Sequence, residues 1–317
     1  VQPGDTLFAI ATRFGVRMSR LAEANHIADV NWIAVGQVLV IPAERSVAEP
    51  LPPPFEAVTL SEDPVEQGRT LVVFVTLAAP AELDADWEGR PVFLAGDGQH
   101  YWGIVGVHAL SEVGFHELHL RAALPDGSTV EATRPVRVVE GPYGTETIQV
   151  DASRQGLLEP SVVQAEAERV RAVWSQVTPR KWWEGPFRYP VEPSRITSAF
   201  GTRRSYGGGP VNGFHAGTDF GGGVGTPIYA PAPGVVVLAE PLDVRGNAVI
   251  IDHGMGLFSG YWHQSRLAVQ TGDVVAPGDL IGYIGDTGLV TGPHLHWEMR
   301  LGGIAVDPLQ WVTESIP

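Results

Sequence analysis

The sequence predicts a mostly β chain of several domains: a small β-α-α-β unit, an antiparallel β-sandwich, a connecting helix and a C-terminal antiparallel β domain. Three observations predict it. Short alternating apolar runs recur from residue 55 onward, punctuated by Gly, Asp and Pro. Helical spacing is confined to residues 7–24 and 161–174. A length of 317 residues suits two or three domains.

Composition narrows the chemistry. The chain has no cysteine, which excludes disulfides, thiolate metal sites and cysteine nucleophiles together. Imidazole and oxygen remain as the strong metal ligands. Net charge is -15, and 22 of the 36 acidic residues fall in residues 44–186. No Lys/Arg cluster interrupts that sign, so nucleic acid is excluded as a partner. No apolar run approaches the ~18 residues of a membrane span. The chain begins with Val1, so any signal peptide or anchor is expected upstream of it.

Residues 1–43 read as one compact unit. Val1 to Leu7 is a strand end and a turn, with Asp5 expected to cap the following helix. Leu7, Ile10, Ala11 and Phe14 recur at helical spacing up to a stop at Gly15, and a second short helix carries Leu21 and Ala24. Gly36 to Pro42 is expected to be a strand. Gly4-Asp5-Thr6-Leu7, Ile10 to Val16, Leu21 to Asn25 and Val35 to Pro42 together resemble the LysM domain over the whole segment. That resemblance implies binding of N-acetylglucosamine-containing glycan in a groove between Gly4, Asp5, Thr6 and Leu7 and the loop Asn31, Trp32 and Ile33.

Residues 44–54, with Pro50, Pro52, Pro53 and Pro54, read as a semi-rigid linker. Residues 55–150 hold strands expected at Leu71 to Leu77, Pro91 to Leu94, Tyr101 to Val107, Phe115 to Leu124, Thr129 to Val139 and Glu146 to Val150. Their spacing predicts an immunoglobulin-like β-sandwich. His116 and His119 point to opposite faces of one strand, which argues against a metal site there. Residues 151–186 are a connector, with a helix capped by Ser161 and ended by Pro179. Trp182 and Trp183 are expected to clamp this segment onto the C-terminal domain.

Residues 187–317 carry the chemistry. His294 and His296 alternate with Leu295 and Trp297, so both imidazoles share one face of a strand, ~7 Å apart. An extended His215-x-x-x-Asp219 would separate its ends by ~13 Å, so the chain must bend there, and Gly217 is expected to allow it. With His263 in Gly260-Tyr261-Trp262-His263, five polar side chains collect on one strand-rich domain. A catalytic zinc site needs three protein ligands and an open position. Spacing alone does not tell His294 from His296 as a ligand. His253 reads as structural.

The runs Ile196 to Arg204, His215 to Phe220, Gly225 to Val236, Gly246 to Gly254, Gly260 to His263 and Thr291 to Glu298 resemble, in order and spacing, the lysostaphin-like (LytM-type) zinc metallopeptidase domain. The resemblance implies one zinc held by His215, Asp219 and His296, with His294 and His263 as a non-ligating catalytic pair. His294 is expected to be the general base and His263 to donate to the oxyanion, or the two exchange or share these roles. Trp262 and Gln264 depart from the family's usual Ala and Leu, which bears on cleft shape. The function implied is hydrolysis of peptide stems or cross-links of peptidoglycan by a zinc endopeptidase targeted through the LysM unit. The expected location is extracellular or in the cell envelope. The competing readings are a catalytically silent scaffold that activates a wall amidase, and a secreted peptidase acting on glycine-rich proteins. Complete ligands argue against the first, and glycan binding against the second.

Overall fold

The chain folds as two units, Val1–Gly141 and Pro142–Pro317. The computed structural model describes residues 1–14, 16–42, 50–148, 159–193, 195–206, 211 and 213–317. The expected helix stop at Gly15, residue 43 of the first unit, linker residues 44–49, strand residues 149–150 and connector residues 151–158 lie outside them. Among the described residues no helix is long and apolar enough to cross a membrane.

The first unit opens with α1 (Leu7–Phe14) and α2 (Met18–Ala24), which bury Leu7, Ile10, Ala11, Val16, Leu21 and Ala22 against one another. Thr6 caps α1, accepting from Ala9 N at 3.0 Å. Asp5, expected as the cap, instead closes the turn, accepting from Gln2 N and from Arg13. The strand expected at Gly36 to Pro42 does not form. Two bonds, Gly36 N to Val1 O and the Val1 amino group to Gln37 O, are all that join it to the segment before the turn, and Pro3 has no N–H to extend them. Asn25 supplies partners instead, bonding Val40 N and Val40 O through its side chain.

Nine strands follow: β1 (Phe55–Leu60), β2 (Val65–Glu66), β3 (Thr70–Leu77), β4 (Glu82–Trp87), β5 (Arg90–Pro91), β6 (Phe93–Gly96), β7 (His100–Gly106), β8 (Gly114–Ala123) and β9 (Thr129–Val139). They form two sheets ordered β1-β3-β7-β6 and β2-β9-β8-β4-β5 around one core that includes Leu71, Val73, Trp87, Leu118, Leu120 and Val136. Lettered in chain order with β2 as A′, the two sheets run ABED and A′GFCC′. β8 alternates with period two: His116, Leu118, Leu120 and Ala122 are buried, while Glu117, His119 and Arg121 are exposed. His116 is held by Glu88 and by Glu112 O, so the two histidines form no site.

The second unit contains β10 (Thr145–Ile148), α3 (Pro160–Trp174), β11 (Ile196–Ser198), β12 (Arg203–Tyr206), β13 (Gly213–Phe214), β14 (Gly217–Gly221), β15 (Pro227–Tyr229), β16 (Gly234–Leu242), β17 (Gly246–Gly254), β18 (Leu257–Leu267), β19 (Val274–Val275), β20 (Leu280–Ile284), β21 (His294–Leu301), β22 (Ile304–Val306) and α4 (Pro308–Thr313). The main sheet runs β11-β14-β21-β18-β17-β16-β19, with β22 on β21 and β20 on β18. β10, expected at the end of the sandwich, pairs in parallel with β12 of this unit. Helix α3 starts at Pro160 with Glu159 rather than Ser161 at its N-cap, and it stops at Trp174, before Pro179. Its apolar face, Val170, Val173 and Trp174, packs on Leu238, Ala248, Ile250, Phe258 and Trp262 of the sheet. Trp183 is buried, bonds Ile316 O at 3.1 Å and stacks edge-on against Trp311. Trp182 is only partly buried, under Arg180.

Candidate metal centre

Strand alternation builds the site. On β21, Leu295, Trp297, Met299 and Leu301 are buried in the core, while His294, His296 and Glu298 share the other face. β14 lies antiparallel on one side with Asp219 opposite His296 and Gly221 opposite His294. β18 lies on the other with Trp262 opposite His296. His215 precedes β14, anchored by its N–H on Thr202 O and its carbonyl under Gly201 N.

These strands bring three donor atoms together. His215 Nε2 lies 3.0 Å from Asp219 Oδ1 and 3.0 Å from His296 Nδ1, and the last two are 2.9 Å apart. The triangle fits one face of a tetrahedral zinc shell with ligands ~2 Å from the ion, leaving the apex open. Ring orientation supports it. His215 Nδ1–H donates to Ala199 O at 3.0 Å, which leaves Nε2 with its lone pair toward the triangle. His296 turns Nε2 toward Glu298 Oε2, 3.9 Å away, and so presents Nδ1. The three residues are the group among the described residues that could hold a metal ion. Burial pushes the Asp219 carboxyl up, but bonds from His215 and His296 outweigh it and hold it ionised far below the usual range. Burial lowers the pKa of His296, which keeps it neutral as a ligand requires.

Gly217 acts differently from expectation. Its φ is not positive, so it supplies no special bend. Instead a Cβ there would run into Trp297 O and, at 2.7 Å, into His296 Nε2. Its role is to let the β14 backbone approach the His296 ring.

His263 reaches the site by a bulge. Strict alternation would turn it with Tyr261 to the core face. Between β17 and β18 the register shifts, so that Tyr261 faces Val249 and Gln264 faces Asn247. His263 adopts φ 65°, a left-handed conformation costly for a non-glycine residue, and its ring centroid lies 5.0 Å from that of His294. Its Nδ1–H donates to Thr287 O at 2.9 Å. His294 Nδ1–H likewise donates to Gly292 O at 2.8 Å. Each ring therefore presents an unprotonated Nε2, and that of His294 stands 3.7 Å from Asp219 Oδ1. Burial, then the neighbouring His294 and His296, push His263 down to about 3, so it is neutral at physiological pH.

His253 is fully buried between Pro233 O and Ser259 Oγ, each at 2.7 Å, away from this cluster. Of the residues expected to bind glycan, Leu7 is core and Ile33 packs against that core, so neither offers a free side chain. Asp5 and Thr6 are engaged in the turn and cap, and Gly4 takes the left-handed φ of 88° that the turn needs. Asn31 bonds Asp29, and Trp32 is 71% exposed. The sequence assigns no role of their own to Glu298, Thr287 and Gly292. The period-two relation of Glu298 to His296 would have found the first, while the carbonyls of the other two carry no sequence signal.

Two segments of the chain are similar to known families. Residues 213–308 match the family described as Peptidase family M23, and residues 1–42 match the LysM domain. The peptidoglycan DD-endopeptidase ShyA of Vibrio cholerae is 42% identical over 127 residues, 39% of this chain and 29% of that protein. The DD-carboxypeptidase/endopeptidase Mpg of Neisseria meningitidis is 38% identical over 123 residues, 38% of this chain and 27% of that protein. The chain thus spans under a third of the length of these curated relatives. A crystal structure from Pseudomonas aeruginosa, described as a candidate peptidase M23, superposes with TM-score 0.57 at 26% identity, over 77% of this chain and 93% of that one. The chain thus carries a segment similar to the LysM domain at residues 1–42 and a segment similar to Peptidase family M23 at residues 213–308.

Proposed function

We propose that this chain is a zinc-dependent endopeptidase that cleaves peptide stems or cross-links of peptidoglycan, brought to the wall by its LysM domain. The observation that carries the reading is the convergence of His215 Nε2, Asp219 Oδ1 and His296 Nδ1 beside two further imidazoles with unprotonated Nε2 atoms. Zinc, when bound to this triangle, would acidify the attacking water and polarise the scissile carbonyl.

The chain's own residues handle the proton. His294 is the general base: its Nε2 accepts a proton from water as the oxygen attacks the carbonyl carbon, and Asp219 at 3.7 Å stabilises the resulting imidazolium. The same proton passes to the leaving nitrogen as the C–N bond breaks, giving a carboxylic acid and an amine, and the acid then gives its remaining proton to the amine or to solvent, leaving a carboxylate. Donation from His263 to the oxyanion is the less favourable role, because the neutral ring keeps its single N–H on Thr287 O. His263 instead offers a second acceptor for the proton of water.

The substrate follows from the relatives. Identity of 42% to a protein named a peptidoglycan DD-endopeptidase supports a D,D peptide bond of the cross-link as the target. Exposed Trp32 supports glycan contact on the LysM domain. Action on the wall places the protein in the cell envelope or outside the cell. Digestion of purified sacculi with mass analysis of the fragments tests this reading. Cross-linked dimers should convert to monomers with zinc and stop with chelator. Dimers that survive a zinc-loaded protein would move the reading to the silent scaffold.

A further inference from the structure

Helix α3 lies outside residues 213–308, the part matched to the peptidase family, yet it carries a carboxylate into the sheet beside the site. Glu166 is 6% exposed. Its Oε2 accepts from Val244 N at 2.6 Å, and its Oε1 accepts from Arg245 N at 3.1 Å and Arg245 Nη1 at 2.8 Å. A helix needed only to cover the sheet would use apolar residues here, as it does with Val170, Val173 and Trp174. Burying a carboxylate is costly unless its bonds fix something.

What Glu166 fixes is the turn between β16 and β17, residues 243–245. Arg245 O accepts the His263 N–H at 2.8 Å, a group the bulge removes from the sheet ladder. Val244 O accepts from Leu289 N at 2.8 Å, tying this turn to the one that contains Thr287. Thr287 O in turn accepts the His263 Nδ1–H, and Thr287 Oγ1 accepts from Asn247 N at 3.0 Å. Both N–H groups of His263 therefore end on two interlocked turns, and Glu166 anchors the first of them from α3.

We propose that Glu166 is a positioning residue for the reaction: through the 243–245 turn it holds His263 in its left-handed bulge with its ring beside His294. Its kinetic arm rests on the endopeptidase reading above. Arg169 provides the internal control. It lies on the same helix and joins α3 to the same sheet through Glu240, at 3.0 and 3.1 Å, without touching the turn.

The test uses the full chain with Glu166→Ala, Glu166→Gln and Arg169→Ala. Rates on a cross-linked muropeptide are taken per zinc-loaded folded chain, and the His263 Nδ1–H is followed by nitrogen-15 imidazole NMR. Glu166→Ala should retain its zinc and lower kcat by roughly 10- to 100-fold, with KM within about twofold, the scale of a small misplacement of a reacting group. Its His263 Nδ1–H signal should exchange with water and broaden. Glu166→Gln keeps an acceptor oxygen for the amides and should recover part of both, and it serves if the alanine variant does not fold. Arg169→Ala should match the unaltered chain in both. A kcat unchanged in Glu166→Ala, an intact His263 signal, or equal effects from Glu166→Ala and Arg169→Ala would overturn the assignment. If the unaltered chain cleaves no peptidoglycan, the endopeptidase reading fails by itself, and the NMR arm still decides whether Glu166 holds His263.

Discussion

Asp219 and His296 stand directly opposite each other across the β14–β21 ladder, with Asp219 Oδ1 2.9 Å from His296 Nδ1. One strand register thus sets two of the three donors. A slip of one residue would turn His296 to the core face and put Trp297 on the site face, so the apolar alternation of β21 protects the metal geometry.

Gly217→Ala tests how tightly that register is held. The added methyl meets Trp297 O and the His296 ring, and the first is backbone in a paired strand that cannot swing aside. Overpacking of this kind costs ~1–3 kcal/mol. Thermal unfolding should show that loss, and zinc titration a weakening of ~10- to 100-fold, the scale seen when a ligand's surroundings are disturbed. Unchanged stability and affinity would show that the ladder relaxes freely.

Trp32 is the most exposed aromatic among the described residues of 1–42, 71% accessible against 52% for Phe8 and 55% for Phe14, and it lies outside the core of that segment. Trp32→Ala should leave folding within ~0.5 kcal/mol. Co-sedimentation with sacculi should weaken at least ~10-fold, since a truncated aromatic anchor commonly costs that much. Hydrolysis of a small soluble muropeptide should not change, because the domain contributes local concentration rather than chemistry. Equal retention on sacculi would place the glycan contact elsewhere.

His253 makes the second unit sensitive to acid. Burial pushes its pKa down from 6.5 to about 4, partly offset by its bond to Pro233 O. Below pH 6.5 the unfolded chain binds a proton here that the folded chain refuses. Stability therefore falls as pH falls from 6.5 to 4, by up to about 3 kcal/mol. Denaturation of zinc-free protein should show a steeper pH slope in that window than His253→Gln. Parallel slopes would mean that another group carries the dependence.

Much of this site was legible because its residues obey period two. His294 and His296 share a face, and Leu295 and Trp297 show it by their burial. His263 broke the rule. Its position depends on a register shift that only the pairing of β18 with two neighbours reveals. β4 was missed for a local reason: Glu82, Asp84 and Asp86 have low strand propensity, and only packing against β8 selects the strand. β10 was legible as a strand but not as a partner of β12, since pairing across 58 residues leaves no local trace. The Gly36 to Pro42 strand failed because a strand needs a partner, and among the described residues only Val1 and the turn residue Ala34 offer it backbone bonds.

The central claim is that His215, Asp219 and His296 hold the metal while His294 works beside it. Elemental zinc per chain, measured with the hydrolysis rate of one muropeptide, tests it in His296→Ala and His294→Ala. His296→Ala should lose both zinc and activity, because two remaining ligands do not hold the ion. His294→Ala should keep about one zinc per chain. It should lose activity by ~100- to 10,000-fold, the scale of a positioned acid-base group. Zinc lost from His294→Ala and kept by His296→Ala would contradict the account.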